Sequence, residues 1–182
     1  MLIAQQKLNE NIAEYILYMY QIEDITRAFK FDLDTIIEQV VQPQLHDPAY
    51  LGEYKRWYGR IIADLTSSGK EKVGHTNDLT ELMVEISYLH QTMMGLKDEK
   101  YKNLFEAAKP YLEEFKDKSN LKDRNDVEVA FSALYMKLLL KLQKKDISPE
   151  SEEAFDRMRI LVAYLAKHYH MMKAGDIDFL ND

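Results

Sequence analysis

Ala4-Gln-Gln-Lys-Leu8-Asn-Glu-Asn-Ile12-Ala-Glu-Tyr15-Ile-Leu-Tyr-Met19-Tyr-Gln-Ile22-Glu-Asp-Ile-Thr26-Arg-Ala-Phe29-Lys30 decides the fold. Leu8, Ile12, Tyr15, Met19, Ile22 and Phe29 recur at alternating spacings of four and three, with Thr26 in the remaining slot. That is a helix seam with a period of about 3.5 residues. The middle of the stretch, Tyr15 to Tyr20, is apolar or aromatic on every side. A helix that is greasy all round is surrounded by other helices. The stretch therefore predicts one helix over 4–30, the central post of a helical bundle.

Outward from this post the pattern stays helical. Six further helices are predicted, over 33–42, 48–67, 77–94, 99–118, 125–144 and 149–173, and no period-2 strand pattern persists. Their ends carry local punctuation. Asp32 is placed to accept from free N–H groups at a helix start. Asp47-Pro48 and Ser148-Pro149 read as a cap followed by Pro at the first helical position. Gly69 and Gly175 fit left-handed C-caps. Pro110 falls inside the fifth helix, where a kink or a break is expected. Tyr50, Tyr54, Trp57, Ile61 and Leu65 form the expected core stripe of the third helix. Val129–Leu142 is nearly as apolar all round as the first helix, which makes the sixth a second central post. The chain reads as all-α, a single helical-bundle domain of about seven helices.

Composition narrows the function classes. A chain of 182 residues with 46% hydrophobic residues fits one domain with a sizeable core. The absence of cysteine excludes disulfides, thiolate metal sites and a cysteine nucleophile. Lys7, Glu10 and Glu14 interrupt the N-terminus, against a signal peptide, and no stretch has the ~18 uninterrupted apolar residues of a membrane helix. The expected location is the cytoplasm, with no membrane partner. A net charge of −7 argues against sequence-independent binding to phosphate backbones, so no nucleic-acid partner is expected.

Motif after motif falls short of a known chemistry. Gly69-Lys-Glu-Lys-Val-Gly74-His75-Thr76 approaches a phosphate-binding loop, but His75 stands where that loop needs Lys, and a helix precedes it instead of a strand. It reads as an inter-helix linker. No His lies three residues after a Glu, so the di-iron bundle pattern is absent. His168 and His170 sit two apart, on nearly opposite sides of a helix. No metal ligand set, catalytic residue or cofactor is assigned. Glu81 and Glu85 share a helix face and read as solvated. Lys55, Arg56 and Arg60 surround Trp57 and Tyr58, a pattern that can pair with nucleotides but reads as a solvated face. Lys137, Lys141, Lys144 and Lys145 complement a helix dipole near its C-terminus.

The best cluster is the polar line Glu14, Tyr18, Gln21 and Asp24 along the first helix, with His90 on an apolar face of the fourth. If the post is central, some of these groups are buried and need partners. A half-buried carboxylate beside tyrosines reads either as a structural network or as a ligand site. The segment Asp176–Asp182 sets apolar residues in an acidic context and is expected to dock on its own bundle or on a partner.

The run Gln5-Gln6-Lys7…Asn11-Ile12-Ala13-Glu14-Tyr15-Ile16-Leu17-Tyr18-Met19-Tyr20-Gln21-Ile22-Glu23-Asp24 resembles the start of an uncharacterised family of Bacteroidetes proteins, classed as a domain of unknown function. The resemblance covers residues 1–27 and matches beyond that in length and helical layout. It implies a cytoplasmic bacterial protein and brings no activity, cofactor or site residue. The expectation is a non-enzymatic protein-interaction or regulatory bundle with a homo-oligomer or protein partner. The surplus of 12 Tyr and 9 Met motivates it. The alternative is a small-molecule or metal-binding bundle, an enzyme included, with a polar site between helices near Glu14, Tyr18 and His90.

Overall fold

The computed structural model describes residues 3–96 and 98–175. The fold is an all-α helical bundle, 81% helical, and no strand occurs among the described residues. Eight α-helices are described: α1 (Ile3–Glu10), α2 (Ile12–Ala28), α3 (Leu33–Ile36), α4 (Leu51–Ser67), α5 (Asn77–Gly95), α6 (Glu99–Ser119), α7 (Asp126–Leu142) and α8 (Pro149–Ala174). The Asp176–Asp182 tail lies outside the described residues.

Two compact units emerge, Met1–Glu10 with Glu14–Glu81, and Asn11–Ala13 with Leu82–Asp182. In the first, α3 and the π-turn Ile37–Val41 that extends it pack on α4. Pro43 has no N–H to give, and upstream of it the ladder slips to the longer register, with the Gln42 N–H reaching the Ile37 carbonyl. In the second, α6, α7 and α8 pack on one another. Tyr101, Phe105, Ala108 and Leu112 of α6 are buried there, with Phe155, Met158, Val162, Leu165 and Tyr169 of α8.

The caps fall where local chemistry puts them. Asp32 accepts from the Thr35 N–H at 3.2 Å, Asp47 from Ala49 at 2.9 Å, and Ser148 from Ser151 at 3.2 Å. Gly69 and Gly175 are left-handed. Asn125 and Glu128 add a capping box at the start of α7.

Four expectations are corrected. The helix predicted over 4–30 is interrupted at Asn11. Its side chain accepts from the Ala13 N–H at 3.0 Å, and the Ile12 N–H donates to His170 Nε2 at 3.0 Å instead of to the preceding turn. The same helix stops at Ala28, because Lys30 and Phe31 both turn left-handed, at φ 52° and 63°. Of the kink or break expected at Pro110, the break is absent: α6 runs through it, and Pro110 and Glu106, whose carbonyl loses its donor, both face solvent. On α4 the buried stripe is Tyr58, Ile61 and Leu65. Tyr50 is exposed, and Tyr54 and Trp57 are only half-buried. The fourth correction concerns α7. It is buried from Val127 to Leu134, but no residue from Tyr135 onward is, so its second half is not a central post.

Candidate functional site

The polar line of α2 sits on its outer side. Glu14 is exposed and pairs with Lys7 at 2.8 Å. Asp24 is exposed and pairs with Arg27 at 3.2 Å. Gln21 is half-buried. Tyr18, also half-buried, stacks on Trp57 with ring centres 6.4 Å apart and planes within 14°. Burial, with Tyr54 nearby, pushes the Tyr18 hydroxyl up to about 12. Trp57 in turn meets Tyr54 and Tyr58 edge-on. The tryptophan flanked by Lys55, Arg56 and Arg60 is thus engaged with rings of its own chain, and Lys55 faces Asp34 at 3.4 Å.

The buried carboxylate of α2 is its neighbour in sequence, Glu23, with no solvent exposure at all. One oxygen accepts from the Thr76 N–H at 2.8 Å, and the other meets His75 Nδ1 at 2.6 Å. The His75 ring lies flat on Tyr20, 4.2 Å between centres. Asp64 of α4 completes the arrangement, accepting from the Asn77 N–H at 2.8 Å and from its side-chain amide at 2.7 Å. Arg27 donates to the carbonyls of Gly74 and, at 3.3 Å, of Lys70. Gly74 sits at φ 103°, a conformation that a side chain disfavours, and a Cβ there would press on Lys70. The α4–α5 connection is thereby clasped by carboxylates from α2 and α4. Two N–H groups at the start of α5, those of Thr76 and Asn77, where a phosphate loop would bind its anion, are already taken by two carboxylates.

Sequence reading passed over Glu23, although the signal was present. Ile12, Ile16, Met19, Glu23 and Thr26 are all buried and are spaced four, three, four and three apart. A carboxylate on an apolar seam was the mark. Chemically, a carboxylate that orients an imidazole whose side chain is 38% exposed resembles half of a general-base or metal-ligand arrangement. No group of three side chains able to hold a metal ion occurs among the described residues.

His90 belongs to the other unit. It is buried, its Nδ1 lies 2.6 Å from the Tyr101 hydroxyl, and it packs against Phe105. Burial holds its pKa below the ordinary histidine value, opposed by the negative charge of Asp126. Burial, with Asp126 and Asp98 adding to it, pushes the Tyr101 hydroxyl far up, so that it stays protonated. His168 donates from Nδ1 to the Tyr164 carbonyl at 2.8 Å, and His170 accepts from Ile12, so each α8 histidine has its own partner. Glu85, read from sequence as solvated, accepts from the Tyr169 hydroxyl at 2.7 Å and from Lys173 at 3.0 Å.

The second half of α7 is a different kind of surface. Met136 is 42% exposed and Leu142 61%, and Leu138, Leu139 and Leu140 are only partly covered. Lys137 is tied to Glu152 of α8 at 2.5 Å and lies over the Phe155 ring. Beyond it, Lys141, Lys144, Lys145, Asp146 and Glu150 are exposed, and none joins an ion pair among the described residues.

Residues 1–176 match the family model described as Domain of unknown function (DUF4924). The chain belongs to this family. No curated protein and no solved structure matches it. The family thus extends over both units and well past the first helix that carries the resemblance, yet supplies no substrate, cofactor or residue role. Among the described residues no helix is long and apolar enough to cross a membrane.

Proposed function

We propose that this protein is a non-enzymatic interaction or regulatory module that docks through the C-terminal half of α7. One observation carries the reading. Six residues of α7 between Val127 and Leu134 are buried, while the equally apolar stretch from Met136 to Leu142 contributes none. An all-round apolar helix is built to be surrounded, and an exposed apolar cluster rimmed by charge marks an interaction surface. The polar networks support the same view, because Glu23, His75, His90 and Glu85 each serve a helix start or a helix–helix contact. A cytoplasmic bacterial setting, among the Bacteroidetes, and the absence of a nucleic-acid partner are part of the proposal. They rest on the sequence resemblance and on the net charge of −7.

Leu142→Asp tests it, because position 142 is exposed and the change leaves the core alone. The urea midpoint should stay within about 0.5 kcal/mol of the unsubstituted protein. A photo-reactive residue at 142 should cross-link to a protein partner in the native cell, and no adduct there would refute the reading.

A second reading, a small-ligand site, is favoured by one pair, Glu23 with the half-exposed His75. The polar line Glu14, Tyr18, Gln21 and Asp24, on the outer side of α2, is a separate candidate surface under the same reading. A ligand retained through native mass spectrometry and lost in His75→Ala would establish it, and a bare mass in both would count against it.

A further inference from the structure

We propose that His75 is a phosphoryl-acceptor site, with Nε2 taking the phosphoryl group of an acyl phosphate. The proposal rests on the second reading above, the Glu23–His75 site, and adds its substrate class. Its ground is the orientation of one imidazole. Nδ1 lies 2.6 Å from an oxygen of a carboxylate that has no solvent exposure. Tyr20, itself buried, covers one face of the ring at 4.2 Å between centres. The His75 side chain is nonetheless 38% exposed. That exposure falls on the other face and on the far edge, where Nε2 lies. An ionised carboxylate can only accept, so the proton between the pair sits on Nδ1 and the neutral ring keeps its lone pair on Nε2. None of the other four histidines has this arrangement. His46 is exposed with no carboxylate behind it among the described residues, and His90 is buried. His168 is backed by a carbonyl, and His170 already accepts through Nε2.

The surroundings select the substrate class. A firmly held metal ion needs several ligands, and no suitable group of three occurs among the described residues. Acyl transfer needs N–H donors for an oxyanion, and those of Thr76 and Asn77 are taken by Glu23 and Asp64. A phosphoryl group is stabilised by cations instead. Lys70 and Lys72, with Glu71 between them, precede His75 on the same short connection, and Lys72 is exposed and outside every ion pair among the described residues. In the step itself, Nε2 gives its lone pair to phosphorus while the bond from phosphorus to the acyl oxygen breaks. The carboxylate leaves with that electron pair. The ring becomes positive, Nδ1 keeps its proton, and Glu23 faces the new charge. Glu23 is thus a positioning residue that touches no substrate.

Acetyl phosphate and the full chain test the proposal, with the label located by mass spectrometry of peptides kept out of acid. His75 is expected to take the phosphoryl group about tenfold or more faster than His46, although His46 is the more exposed of the two. Glu23→Gln keeps an acceptor for the Thr76 N–H but cannot balance the imidazolium, so it should bring the two rates together with the circular dichroism unchanged. His75 labelled no faster than His46 in the unsubstituted chain would overturn the proposal, as would a folded Glu23→Gln protein with the original ratio. Fast modification of His75 by uncharged diethyl pyrocarbonate, with no label from acetyl phosphate, would overturn the phosphoryl class and leave the ligand-site reading standing. Equal reaction of both histidines with both reagents, together with a bare native mass, would remove the proposal and that reading alike.

Discussion

Glu23→Ala isolates the strongest polar commitment in the first unit. The side chain is wholly buried and holds two donors, the Thr76 N–H at 2.8 Å and His75 Nδ1 at 2.6 Å. Thr76 is itself buried, so its N–H finds no water when the carboxylate goes. Each hydrogen bond to a charged group contributes about 1.5–3 kcal/mol, and a stranded buried donor costs its desolvation in full. Two such losses, with the cavity left by the removed atoms, amount to about 3–5 kcal/mol. That is a large share of the roughly 5–15 kcal/mol that holds a typical domain folded. Asp24→Ala, one residue along, removes an exposed carboxylate that faces Arg27 and should cost less than about 1 kcal/mol. Urea unfolding followed by circular dichroism compares the two directly. Equal losses, or a Glu23→Ala protein within about 1 kcal/mol of the parent, would refute the assignment of Glu23 as the buried anchor of the α4–α5 connection.

Three further outcomes are expected. His90 has its pKa lowered by burial, so below about pH 6.5 the unfolded chain binds a proton that the folded one resists, and stability falls as pH drops from there. His90→Gln should flatten that fall in urea midpoints measured between about pH 7.5 and 5, and an unchanged slope would contradict it. Lys144→Gly should stabilise the monomer by about 1 kcal/mol, by relieving a left-handed lysine, and a lower melting temperature would show that φ is not the governing factor. His170→Ala strands the buried Ile12 N–H and should cost about 1–3 kcal/mol, with faster amide exchange at Ile12, whereas unaltered exchange would mean that another acceptor serves it.

What was legible in the sequence was what is local. Asp32, Asp47 and Ser148 cap their helices within three residues, and Gly69 and Gly175 end theirs through their own backbone freedom. What escaped depends on distant partners. Asn11 interrupts a seam that looks continuous because His170 lies 158 residues away and supplies the acceptor. Asp24 and Glu23 are adjacent carboxylates, and only the azimuth of α2 decides which is buried; Ile16, Met19, Ile22 and Thr26 are all buried, and Glu23 falls on their side of the helix while Asp24 falls away from it. Trp57 was placed in the core by its position on the stripe with Tyr54 and Ile61, yet Tyr58 is the buried residue at that turn of α4. For α7, apolarity predicted burial correctly up to Leu134, whereas from Tyr135 onward none of its residues is buried among the described residues.

The bond between Ile12 and His170 also sets an order of events. During synthesis the residues around Asn11 leave the ribosome long before the imidazole that receives the Ile12 N–H, which follows 158 residues later. Before then the Asn11 side chain can already accept from the Ala13 N–H at 3.0 Å, but the Ile12 N–H still lacks the acceptor that fixes the break. The break is completed late, when α8 docks. Contacts of such wide sequence separation close last and slow the final step of folding. A nascent chain halted before His170 should therefore show more continuous helix at its start than the finished protein does.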